Sequence, residues 1–386
     1  MKFVLAPDSF KGSLTAKQAA SAMQRGLSRI FPSAEFIQVP MADGGAGTAQ
    51  SLVDARHGEF ITAEVNDPLM HTISARYGLI KDSHYFTGII EVAEASGLGY
   101  LNDDDRNPLI TTTYGTGQLV KDALDKGVNR IIIAIGGSAT NDGGAGMFEA
   151  LGVRFLDSKG NPIPRGGGGL GGLVSIDMSN IDPRLADVEF VIATDVANPM
   201  VGEYGASAVF APNKGATPEM VETLDQNLTH YADVLQRFTG KDIKDMPGSG
   251  SSGGLAGGVM AFTNAHIVRG VDLVAKVAKL DEKVVGADYT FTGEGMVDYQ
   301  TQYGKTPLGV AIEANKGNPD THVIIVTGGI GDGIDELYNV GVDAIFSMTP
   351  GAMSLDKAMQ DAAINLERTT ENIGRLIKVD GEKYRE

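Results

Sequence analysis

Residues 131–144 run Ile-Ile-Ile-Ala-Ile-Gly-Gly-Ser-Ala-Thr-Asn-Asp-Gly-Gly, and their types and order suit an anion site. The apolar run fits a strand covered on both faces, and Gly136 and Gly137 let the backbone turn sharply at its carboxyl end. Freed N–H groups from Gly136 to Ser138 can converge on negative charge, helped by the amino end of the helix expected to follow. Asn141 and Asp142 add an amide and a carboxylate. Phosphate or carboxylate is the natural guest. The competing reading is a glycine-rich strand-to-helix turn that binds nothing.

The same arrangement recurs along the chain. Phe3-Val4-Leu5-Ala6 runs into Pro7-Asp8-Ser9-Phe10-Lys11-Gly12-Ser13, and Glu35–Pro40 leads to Met41-Ala42-Asp43-Gly44-Gly45-Ala46-Gly47-Thr48. Val188–Ala193 precedes Thr194-Asp195-Val196-Ala197-Asn198-Pro199, Asp288–Thr292 precedes Gly293-Glu294-Gly295, and Val323–Thr327 ends at Gly328-Gly329. Strands with Gly and Asp ends, repeatedly followed by helical stretches, predict an α/β protein with a polar rim where ligands bind. A second glycine run, Gly248–Gly254, precedes the apolar stretch Leu255–Phe262 and reads either as another anion-binding helix start or as a flexible loop.

Composition bounds what such a rim serves. With 386 residues the chain can bury a large core and suits two domains better than one. Glycine, 51 residues, is about twice the usual fraction and sits in strand-end loops rather than in a repeat. A net charge of −17 disfavours nucleic acid or anionic membrane as a bulk partner, so a small anion must be held by local donors. The absence of cysteine excludes disulfides, thiolate nucleophiles and Cys-ligated zinc. The six histidines show no metal-ligand spacing. The opening Met-Lys-Phe-Val-Leu-Ala-Pro is too short for a signal peptide and no apolar run approaches a membrane span, so a soluble cytoplasmic protein is the expectation.

Domain limits follow from a break in pattern. Residues 60–92 read as three short strands of an antiparallel meander, and βα alternation returns from about Val271. The expectation is a discontinuous architecture: a five-stranded parallel, flavodoxin-like or Rossmann-like domain from residues 1–62 and 266–386, with an α/β domain of residues 63–265 inserted. The tail Leu355–Ile377 has apolar residues at helical spacing and predicts a packing helix, and Asp103-Asp104-Asp105 a solvated turn.

Ala6-Pro7-Asp8-Ser9-Phe10-Lys11, Ala42-Asp43-Gly44-Gly45, Gly136–Gly144, Asp195–Pro199, Lys214-Gly215-Ala216, Thr292-Gly293-Glu294-Gly295 and Gly304-Lys305-Thr306-Pro307 together resemble the bacterial type I glycerate kinases across nearly the whole chain. The resemblance implies two domains around an active-site cleft, and ATP-dependent phosphorylation of D-glycerate, most often giving 2-phosphoglycerate, with Mg²⁺. Neither Gly-x-x-x-x-Gly-Lys-Ser/Thr nor the protein-kinase motif set occurs, so nucleotide binding must use other loops. Phosphoryl transfer needs donors for phosphate charge, carboxylates for Mg²⁺ and a base near the acceptor hydroxyl.

On that reading Lys11 neutralises a transferring phosphate or the glycerate carboxylate, and Asp195 is the general base; a loop-covering lysine and a turn-capping aspartate are the alternatives. Asp8, Ser9, Asp43, Gly44, Gly45 and Asn141 are the substrate-side candidates, with Asp8 and Asp43 alternatively capping helices. Gly136, Gly137, Ser138, Gly293, Gly295 and Lys305 are the nucleotide-phosphate candidates. Asp142, Glu294 and Asp298 are the Mg²⁺ candidates, although Glu294 and Asp298 at a four-residue spacing could share a helix face. The chain departs from the family pattern at Gly12 and Ala46, usually Glu, and at Met296, usually Arg. These changes point to an altered acceptor preference or to one lost ion-pair network. Formation of 3-phosphoglycerate, phosphorylation of a related small hydroxy acid, and a non-catalytic hydroxy-acid sensor are the other outcomes. A dinucleotide oxidoreductase would need Gly-x-Gly-x-x-Gly after the first strand, which is missing.

Overall fold

A computed structural model describes residues 1–383, which form two compact units. The first comprises Met1–Asp43, Gln50–Arg56 and the chain from Arg269 on; the second comprises Gly44–Ala49 and His57–Val268.

The first unit is built on a five-stranded, wholly parallel sheet in the order Ala344–Ser347, His322–Thr327, Tyr289–Thr292, Lys2–Leu5, Glu35–Gln38. Phe3–Leu5 and Val323–Val326 read as unbroken apolar runs, as strands covered on both faces do, whereas the middle strand alternates and buries Thr290 and Thr292. After Lys2–Leu5 the chain moves outward to Glu35–Gln38, whereas Tyr289–Thr292 lies on the other flank, so the strand order reverses between Lys2–Leu5 and Tyr289–Thr292. Phe3 anchors the core, stacked on Phe36 and Tyr289 and tilted against Phe291.

Helix Ala16–Ser28 starts in a capping box, Thr15 with Gln18, and buries Ala16, Ala19, Ala20, Met23 and Leu27 along one stripe. It packs on helix Ala362–Lys383 through Gly26, where a Cβ would lie 2.2 Å from the Glu367 carbonyl oxygen. Arg25 and Arg29 close the same contact by pairing with Glu367 and Glu371. The single helix expected over 355–377 is two, Leu355–Gln360 and Ala362–Lys383, divided at Asp361.

The second unit holds a six-stranded sheet in the order His266–Val268, Glu189–Ala193, Arg130–Ala134, Phe86–Glu91, Thr72–Lys81, Glu59–Asn66. The first four strands are parallel; the last two complete the antiparallel meander. Ile131, Ile132 and Ile133 are all fully buried, as a strand covered on both faces requires. The unit boundaries differ from those expected at 62/63 and 265/266. Glu59–Asn66 pairs along its whole length with Thr72–Lys81, which moves the first boundary back to Arg56/His57. His266–Val268 pairs with Val191–Ala193, which moves the other forward to Val268/Arg269. Among the described residues, no helix is long and apolar enough to cross a membrane.

Candidate active site

In the first unit the reactive groups gather where the strand order reverses, at the carboxyl edge of the sheet, the position at which open α/β sheets bind ligands. The segment after Lys2–Leu5 stays in register with both neighbours. Ala6 N–H donates to Phe291 O at 2.7 Å and Asp8 N–H to Gly293 O at 2.9 Å, while Met41 N–H donates to Pro7 O at 2.9 Å. Asp8, Asp43 and the Gly293-Glu294-Gly295 turn are thereby drawn together.

Asp8 is buried, accepting from Ser9 N–H and, at 2.5 Å, from Thr306 Oγ1 at the start of helix Thr306–Gly317. Burial, reinforced by the neighbouring Asp43 carboxylate, pushes its pKa up to about 6 against the pull of these hydrogen bonds and of Lys11. Glu294 accepts from Thr301 Oγ1 at 3.3 Å and is pushed up to about 7, first by burial and then by Asp8 and Asp43, with Lys305 and Lys11 opposing. Lys11 reaches Asp43 at 3.5 Å with 77% of its side chain exposed, and Asp43 is the main cause of its raised pKa. Lys305 pairs with Asp298 at 3.7 Å. Asp8, Lys11, Asp43, Glu294, Asp298 and Lys305 thus share one electrostatic neighbourhood.

Such a set can receive phosphate oxygens on two ammonium groups and a cation on its carboxylates, and it holds two carboxyl groups that titrate close to neutrality. Among the described residues no three acidic or histidine side chains form a ready-made metal site. The donors instead fit Mg²⁺ in its usual mode, in which one or two carboxylates hold the ion and phosphates and water complete its octahedron. The two turn glycines differ. A Cβ at Gly293 would strike the Val326 carbonyl oxygen at 1.9 Å, whereas at Gly295 the nearest atom is Lys11 N at 3.7 Å. Packing within the protein explains the first and leaves the second open to a ligand's approach.

In the second unit the turn after Arg130–Ala134 is held from several sides. A Cβ at Gly136 would meet Gly45 Cα at 2.6 Å, so this glycine admits the Gly44-Gly45 segment, while Gly137 takes a left-handed φ of +76° and is exposed. Leu98 N–H donates to Gly137 O and Ala139 N–H to Ser96 O. Lys214, only 5% exposed, donates from Nζ to Ser138 Oγ at 2.9 Å and to Thr140 O at 2.6 Å. Burial lowers its pKa to about 7, with Asp142 opposing. Asn141 Nδ2 donates to Ser207 Oγ at 3.0 Å.

Asp142 stands apart from the other Mg²⁺ candidates. It lies in the second unit, is 1% exposed, and accepts from Thr112 Oγ1, from the N–H and Oγ1 of Thr113, and from the N–H groups of Gly144 and Gly146. With its oxygens so engaged, the carboxylate organises the start of helix Ala145–Ala150. Asp195 follows strand Glu189–Ala193 and is partly buried. The Gly248–Gly254 run packs against the Thr140–Gly143 segment: a Cβ at Gly253 would sit 2.1 Å from Thr140 O, and Gly143 N–H donates to Gly253 O.

Two groups escaped the sequence reading. Lys214 was visible only as part of Lys214-Gly215-Ala216, and its tie to Ser138 spans 76 residues. Glu91, at the end of Phe86–Glu91, is buried and accepts from Gly47 N–H at 3.1 Å and Ala49 N–H at 2.7 Å, fastening the glycine segment after Asp43. Of the three departures, Gly12 has a left-handed φ of +80°, which suits glycine, and Ala46 and Met296 are exposed.

The sequence model described as the glycerate kinase family matches residues 3–378. The chain belongs to that family. It is 50% identical over 371 residues to the glycerate kinase of Halalkalibacterium halodurans, covering 96% of each chain. It is 43% identical to the glycerate 2-kinase of Escherichia coli K12, covering 98% of each. A solved structure of a glycerate kinase 2 from Salmonella typhimurium LT2 matches with a TM-score of 0.87 at 44% identity, over 99% of both chains. The protein is therefore a glycerate kinase, transferring a phosphoryl group to a hydroxyl acceptor, and the oxidoreductase reading falls away.

Proposed function

We propose that the protein phosphorylates D-glycerate at its 2-hydroxyl, using ATP with Mg²⁺ and giving 2-phosphoglycerate and ADP. The observation that carries this reading is the convergence of Asp8, Lys11, Asp43, Glu294, Asp298 and Lys305 at the reversal point of the first unit's sheet. The choice of the 2-hydroxyl is supported by the E. coli relative, which is named a glycerate 2-kinase.

Lys11 and Lys305 meet phosphate oxygens, where a fixed ammonium offsets charge that grows in a phosphoryl-transfer transition state. Glu294 and Asp298 would hold Mg²⁺, which when bound neutralises and orients the phosphates. Asp8, Ser9 and Asp43 of the first unit orient glycerate, and Gly44, Gly45 and Asn141 are the substrate-binding residues assigned to the second. Gly136, Gly137, Ser138, Gly293 and Gly295 take the nucleotide phosphates. Asp195 accepts the proton of the attacking hydroxyl, as general bases do within hydrogen-bond reach.

The deciding measurement is ADP release from ATP with D-glycerate, tartronate, lactate and erythronate as alternative acceptors, followed by carbon and phosphorus NMR of the product. Fastest turnover of D-glycerate with phosphorus coupled to C2 is expected. A C3-phosphorylated product would overturn the regiochemistry, and binding of glycerate without ADP release would turn the protein into a sensor.

A further inference from the structure

We infer that Lys214 is a positioning residue of the phosphoryl transfer: from behind the Gly136–Thr140 turn it fixes the Ser138 hydroxyl as a donor to a nucleotide phosphate. The inference rests on the reading of that turn as the nucleotide-phosphate site.

Three observations converge on it. Lys214 is 5% exposed, and a lysine so deeply buried is costly unless its charge is used. Both its hydrogen bonds end on the turn, at Ser138 Oγ and Thr140 O. An ammonium has no acceptor capacity, so Ser138 Oγ must accept from Lys214 and is left to direct its own O–H elsewhere. The turn is pinned on the other side by Ser96 and Leu98, and its exposed residue is Gly137. A cation thus stands one hydroxyl behind the backbone that would meet the anion, an arrangement that strengthens the hydroxyl as donor.

The charged group facing Lys214 is Asp142; Arg106, whose backbone lies against Gly215, is paired with Asp103. With its pKa held near 7 by burial, Lys214 is partly neutral above neutrality, and an arriving phosphate would draw a proton onto it. If Lys214 only plugged the fold, methionine would serve in its place.

The test compares wild type with Lys214→Met, Ser138→Ala and the double variant in full-length protein. Steady-state constants are taken for both substrates, with calorimetry of ADP binding at pH 8 in buffers of different ionisation enthalpy. The expected result is a rise of about tenfold or more in KM for ATP in each single variant with the KM for glycerate unchanged. The double variant should lose little more than either single one, and ADP should bind with clearly less proton uptake in Lys214→Met than in wild type. An unchanged KM for ATP, fully additive losses, or equal proton uptake would overturn the inference. Should Lys214→Met fail to fold, Ser138→Ala and Lys214→Arg decide: Arg retains the cation and should keep an ATP KM closer to wild type than Ser138→Ala does, and the reverse order overturns the proposal. A wild type that releases no ADP with glycerate refutes the proposed function; an active wild type indifferent to these changes refutes this inference alone.

Discussion

At the scale of single residues, exposure separates chemistry from stability. Lys11 is largely solvent-exposed and its ion pair with Asp43 is a surface pair, which contributes little to folding. Lys11→Ala is therefore expected to melt like wild type while losing about a hundredfold or more in turnover, and Asp195→Asn to lose a similar factor. Near-wild-type rates for either would remove that side chain from the reaction. Asp8 is the opposite case, buried with its pKa raised from 3.8 to about 6. Between those values the folded state holds a proton that the unfolded chain has released, so this group's contribution to stability falls as pH rises through the window and is level above it. Replacing Asp8 by Asn removes the titration. The melting temperature of Asp8→Asn relative to wild type should climb from pH 4 to about pH 6.5 and then stay constant; a difference that does not change with pH would contradict the burial argument.

At the scale of elements, what the sequence disclosed was local and what it hid was distant. The Ile131–Ile135 run, the Gly and Asp strand ends and the meander of residues 60–92 each carry their signal within a few neighbouring residues, and the strands form there. Asp142 was legible as a carboxylate after a strand end, but the hydrogen bonds it accepts from Thr112 and Thr113 come from about thirty residues earlier in sequence, and no spacing rule announces that contact. Lys214 and Glu91 were overlooked for the same reason, because each acts on a loop far away along the chain. Helix pairing gives a direct test at this scale. Gly26 lets Ala16–Ser28 lie against Ala362–Lys383 with no room for a methyl group. Gly26→Ala should cost about 1–3 kcal/mol in denaturant unfolding, since overpacking forces the backbones apart. An unchanged or raised stability would show that the helices separate freely.

At the scale of the whole molecule, the chain is woven rather than divided. It leaves the first unit after Asp43, returns at Gln50, leaves again after Arg56 and returns for good at Arg269. The short stretch Gly44–Ala49 is built into the second unit by Glu91 and by the Gly45–Gly136 contact. Expressed alone, residues 57–268 would keep every strand of the six-stranded sheet yet lack that stretch. Glu91 would then be deprived of the two N–H donors that satisfy its carboxylate, and Gly136 of the backbone it packs on. The isolated fragment is expected to show a lower melting temperature than the same transition in the full chain, and a synthetic peptide spanning residues 40–56 should recover part of the loss. Equal stability with and without the peptide would show the stretch to be dispensable.

The glutamate that fastens residues 44–49 therefore has a consequence for how such enzymes can be recombined. A cassette cut at its two obvious seams would leave behind the stitch that completes it, so exchanging second units between relatives should succeed only when residues 44–49 are carried across with residues 57–268.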